Sequence, residues 1–177
     1  MKNSIGVSQL LGFAVTSLGG TLLHFLYEWT GGARWAALMS GVNESTFEHM
    51  KLLFWPMLIF ALLQWLFFRE RGDFFAVKLR GILLGLTLIP VLFYTYNGVI
   101  GKSPDFVNIA IFFIAAAAAY AYEARLFKRE SVRPISPAVP IILISIIALS
   151  FVILTFRAPR LNLFRDPVTD SYGIVAQ

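Results

Sequence analysis

Two histidines, His24 and His49, stand in a chain poor in titratable groups. His24 precedes Glu28 by four residues, so a helix would put both on one face. His49 lies in "GVNESTFEHMKLLFWPML", Gly41 to Leu58, where Asn43, Glu44, Ser45, Glu48, His49 and Lys51 crowd the start of an apolar run. Glu44 and Glu48 are also four apart, and on a helix His49 would point about 100° from Glu48. Imidazole and carboxylate are ligands for zinc or another divalent metal. Two His and one carboxylate can hold a catalytic ion with an open position, and a further Glu can act as base on bound water. This chemistry nominates His24, Glu28, Glu48 and His49 as metal ligands, and Glu44, Glu48 and His49 as catalytic groups. The spacing is not that of an H-E-x-x-H zinc motif. A metal-free pairing of Ser45 with His49 lacks an orienting third group.

Plainer roles compete for the same residues. "STFE", Ser45 to Glu48, matches a capping box. The Ser45 hydroxyl would accept from the Glu48 amide, and the Glu48 carboxylate from the Ser45 amide. Lys51 can pair with Glu48 or Glu28, or snorkel to the head groups. His24 can be satisfied by one backbone carbonyl. Capping leaves Asn43, Glu44 and His49 without an assigned role.

The elements that must position these groups are membrane spans. Of 177 residues, 58% are apolar and only 14% charged. A soluble domain carries about a quarter charged residues, so lipid is the expected solvent. Cysteine is absent, which excludes disulfides, thiolate metal sites and a thiol nucleophile. Five runs are long enough to cross: Ile5 to Trp29, Leu52 to Phe68, Gly81 to Tyr96, Phe106 to Tyr122, and Ala138 to Phe156. The first exceeds the h-region of a signal peptide and reads as a retained helix. The expected fold is all-α: a polytopic membrane helix bundle of about five transmembrane helices in a single domain, residues 1–177. "SLGG", Ser17 to Gly20, and the alanine run of "IAAAAAYAY" offer close-packing faces. Pro56 and Pro90 fall inside spans.

The Lys and Arg distribution sets orientation. One side receives nine: Lys2, Arg69, Arg71, Lys78, Arg80, Arg125, Lys128, Arg129 and Arg133. The other receives six: Arg34, Lys51, Lys102, Arg157, Arg160 and Arg165. This predicts a cytoplasmic N-terminus and an extracytoplasmic C-terminus. The net charge of +5 is then explained by orientation and lipid contact rather than nucleic acid. Both histidines fall on the extracytoplasmic side, together with "YTYNG", Tyr94 to Gly98, and the tail "LNLFRDPVTDSYGI". Tyr96 and Asn97 are candidate orienting partners beside Asn43, and Arg165 and Asp166 a candidate lid. Glu70, Asp73, Glu123 and Glu130 lie among cytoplasmic Arg and Lys and read as solvated loop charges.

"LLHFLYEW", "GVNESTFEHMKLLFWPML", "YTYNG" and "LFRDPVTDSYGI" together resemble a family of small bacterial multi-spanning membrane proteins defined by a domain of unknown function. The motif N-E-S-x-[WF]-E-H-x-K carries the resemblance, which covers most of the chain. It implies a bacterial plasma membrane and no particular reaction. Three readings remain open. The first is a metal-dependent membrane hydrolase or transferase acting on a lipid-like substrate. The second is a non-catalytic polar lock, or a haem or partner site using both histidines. The third is a small proton- or ion-coupled transporter or channel, for which five helices would need to form a homo-oligomer or enclose only a narrow path.

Overall fold

The computed structural model describes residues 2–129 and 136–174, with side chains from Ile5 onward in the first helix. Six helices follow in order: α1 (Lys2–Trp29), the short α2 (Arg34–Ala37), α3 (Thr46–Phe68), α4 (Phe74–Val99), α5 (Asp105–Phe127) and α6 (Ala138–Phe156). A 3-10 turn, Asn162–Phe164, begins the tail. No strand occurs among the described residues. Five helices are long and apolar enough to cross a membrane. Helix is the form that satisfies every backbone group within its own segment, which hydrocarbon demands.

α1 packs on α3 and α5, and α4 packs on the same two, so these four helices close a ring. α6 lies outside it, against α4 and more lightly α3. Outward faces present Leu10, Leu66 and Phe67 at 68%, 61% and 83% exposure. Water would not tolerate so continuous an apolar surface on a monomer. The protein is an integral membrane protein.

Lipid tails are as apolar as leucine, so close packing must hold such helices together. The glycine pair of "SLGG" does this against α3. A Cβ on Gly19 would sit 3.1 Å from the Pro56 ring, and one on Gly20 would meet Phe112 and lie 3.0 Å from the Leu52 carbonyl oxygen. That carbonyl is the one Pro56, lacking an N–H, leaves without its helical donor. The alanines of α5 play the same part against α4, where Gly85 faces Ala119 and Leu53.

α6 has the bounds the apolar pattern implies, while α3, α4 and α5 run past theirs. The added turns carry Glu48, Lys51, Lys78 and Glu123, and these four charges are paired inside the bundle. Glu123 and Asp73 are buried, not solvated. Glu123 meets Lys78 at 2.6 Å. The Lys78 ammonium also lies 5.4–5.9 Å from the rings of Phe60, Phe74, Tyr120 and Phe127. Asp73 pairs with Arg71 at 2.5 Å, and Arg71 donates to the Phe127 carbonyl at the end of α5. Glu70 is exposed, and Glu130 lies outside the described residues. Lys51 and Lys78 are therefore not loop charges. Without them the Lys and Arg bias is eight against five and keeps its sign.

Candidate functional site

α3 begins at Ser45, whose hydroxyl accepts from the Glu48 N–H at 3.4 Å. The reciprocal half of the capping box is not made. The Ser45 N–H donates to the Asn43 side chain at 2.9 Å. Glu48 instead accepts from the Val42 N–H at 3.2 Å and pairs with Lys51 at 2.6 Å. The Lys51 ammonium also donates to the Ala37 carbonyl and the Thr155 hydroxyl, each at 2.9 Å. Its three N–H bonds are all used. This buried knot joins α2, α3 and α6.

Glu44 precedes the cap, so helical spacing does not align it with Glu48. It turns toward the two histidines. His24 Nε2 lies 3.6 Å from Glu44 Oε1, and His49 Nε2 lies 3.7 Å from Glu44 Oε2. The ring centroids are 5.9 Å apart, and one ligand atom from each residue falls within a 4.8 Å span. Glu28, a nominated ligand, is exposed in the last turn of α1 and outside this cluster. Glu48, also nominated, is held by Lys51. The cluster is His24, Glu44 and His49.

A local bond aims His49. Its Nδ1 lies 3.0 Å from the Ser45 carbonyl. A carbonyl only accepts, so Nδ1 carries the proton, and in the neutral ring the Nε2 lone pair faces Glu44. The turn of α1 that carries His24 is tied to the following loop by Ser40. Its hydroxyl accepts from the Tyr27 N–H at 2.8 Å and donates to the Leu23 carbonyl. Those are the two groups that α-helical bonding pairs across one turn, and α1 runs on through them to Trp29. A lone serine in "LMSGV" carries no sequence signal for this role.

Beside the cluster is a cavity of about 20 Å³, lined by Glu44, His49, Asn108 and the apolar Ile89, Phe93 and Phe112. That is room for about one water. Asn97 braces the cavity indirectly. Its side chain bonds Ser103, whose hydroxyl donates to Asn108 at 2.7 Å. Tyr96 has no hydrogen bond to the cluster among the described residues.

The tail folds back over α3. Phe164 packs on Phe47 with centroids 4.4 Å apart and the rings tilted by 34°, and the Asn43 side chain donates to the Gly173 carbonyl at 2.9 Å. Asp166 is buried and organises its own turn, accepting from the Val168 N–H at 2.7 Å and the Thr169 hydroxyl at 2.9 Å. Arg165 is exposed and donates to Asp170. That bond holds the Asp170 carboxyl below its usual range and raises the Arg165 guanidinium.

A model of the family of unknown function DUF6512 matches residues 4–174, and the chain belongs to that family. No curated protein and no solved structure matches it.

Proposed function

We propose that this member of a family of unknown function binds a divalent transition metal of the zinc class through His24, Glu44 and His49. One observation carries the reading. The lone pair of a neutral His49 and the Glu44 carboxylate are acceptors that face each other too far apart to share a hydrogen bond. A cation between them satisfies both. The Nδ1–H bond to a backbone carbonyl is the outer support that metal-bound histidines usually have.

Three protein ligands beside a water-sized cavity resemble a catalytic metal site more than a closed structural one. A metal held there would supply an activated water, and the reaction proposed is hydrolysis of a lipid-like substrate reaching the cluster from the surrounding bilayer. Glu48 is not the base, because Lys51 occupies it. The Lys and Arg bias favours the extracytoplasmic side of a bacterial plasma membrane for this cluster.

The test is elemental analysis after zinc loading and dialysis in detergent. About one zinc per chain is expected. His24→Ala, His49→Ala and Glu44→Gln should each remove it, while Glu28→Gln should not. Wild-type protein that retains no metal, or loss with Glu28→Gln and not with Glu44→Gln, rejects the assignment.

A further inference from the structure

A second concavity lies away from the histidines, between α4 and α6. It has a volume of about 440 Å³, within the range of ligand cavities. Its floor is buried Phe47, Leu86 and Phe151, and buried Phe164 of the tail lies at its end. Its rims, Leu83 and Val91, are 45% and 50% exposed, so it opens sideways from the bundle.

We propose that this groove holds one acyl chain of an anionic phospholipid. The proposal rests on the protein being membrane-embedded and is independent of the metal site. Three observations carry it. First, the groove lies between two membrane-crossing helices, where the surrounding medium is hydrocarbon. Second, the α4 wall runs from Leu83 to Val91, about 12 Å at the helical rise. That is close to the roughly 15 Å depth of one leaflet's hydrocarbon. Third, a cation marks the tail end. The α6 wall follows Ile147, Ser150, Phe151 and Leu154, spaced along one helix face, and Arg157 comes one turn later. Arg157 has no carboxylate partner among the described residues. A lipid phosphate at this level would complement it.

The experiment reconstitutes the protein in vesicles of equal phosphatidylcholine and phosphatidylglycerol, re-extracts it in mild detergent and measures retained lipid by native mass spectrometry. The wild type should keep about one phosphatidylglycerol per chain. Ser150→Trp fills the groove, and the native hydroxyl bonds only its own helix, at the Ile146 carbonyl. Thr87→Trp fills it from the opposite wall. Either should reduce retained lipid at least tenfold with zinc content unchanged. Ile142→Trp, at a position 54% exposed on α6, should retain lipid. Arg157→Ala should keep a lipid but lose the preference for phosphatidylglycerol. Retention by both groove-filling variants equal to Ile142→Trp overturns the proposal. So does a lipid-free wild type, whether monomer or dimer, the latter meaning that a second copy covers the groove.

Discussion

Replacing Lys51 with methionine isolates the knot from the histidine cluster. The substitution leaves the Glu48 carboxylate with one backbone donor, the Val42 N–H, at a position where its side chain is only 3% exposed. It also strips a donor from the Ala37 carbonyl and from Thr155, although the Thr155 hydroxyl still donates to Phe151. Breaking one side of a buried ion pair destabilises by about 3–5 kcal/mol. At about 2–4 °C per kcal/mol for a chain of this size, the melting temperature falls by about 6–20 °C. Glu48→Gln should do comparable harm from the other side, leaving a buried ammonium short of its anion. The double variant, Glu48→Gln with Lys51→Met, removes both charges together and should recover most of the loss. Thermal melts in detergent, followed by circular dichroism, measure all three. Zinc content of the double variant should match wild type, because neither residue belongs to the cluster. Single variants that melt with the wild type would refute the reasoning, as would a double variant whose loss is the sum of the two.

Two further outcomes follow from the helix contacts and the tail. Gly20→Leu should destabilise by about 1–3 kcal/mol in the same melts, because its Cβ meets a backbone carbonyl that cannot step aside; Gly6→Leu, with open space around it, should not. The Arg165–Asp170 bond lowers the folded Asp170 pKa, so its contribution is present above the usual aspartate range and is lost as pH falls through a value below it. Protection factors of residues 165–172, with intrinsic exchange at each pH divided out, should stay flat down through that usual range and fall only beneath it.

Much of the fold was legible because apolar length alone marks a membrane span. α6, with no charge inside it, shows this most plainly. The pattern stopped short at α3, α4 and α5 because counting apolar residues ends at the first charge, while a helix continues wherever that charge finds a partner. Lys78 and Glu123 read as loop residues for this reason. The two histidines and Glu44 were legible as a neighbourhood, since topology puts them at one end of the bundle. Their grouping was not. Spacing by four assigned Glu28 to His24 and Glu48 to Glu44. Yet the partner of His24 comes from a loop, and Glu44 lies before the helix in which that spacing would hold. The bonds of Ser40 to α1 leave no trace in sequence, because they depend on where a short loop crosses a helix.

The Lys78–Glu123 pair bears on how the chain enters the membrane. A lone ammonium or carboxylate opposes insertion of a span, by about 2.5–3.5 kcal/mol at its centre and less toward its ends. Here the two belong to consecutive spans, α4 and α5, and meet at 2.6 Å where the later helix returns beside the start of the earlier one. The ammonium acquires its anion only once α5 has been made. α4 and α5 are therefore suited to partition into lipid as one hairpin, with each charge neutralising the other on the way. Glu123→Gln would act on the yield of correctly threaded protein as well as on the melting of the finished fold.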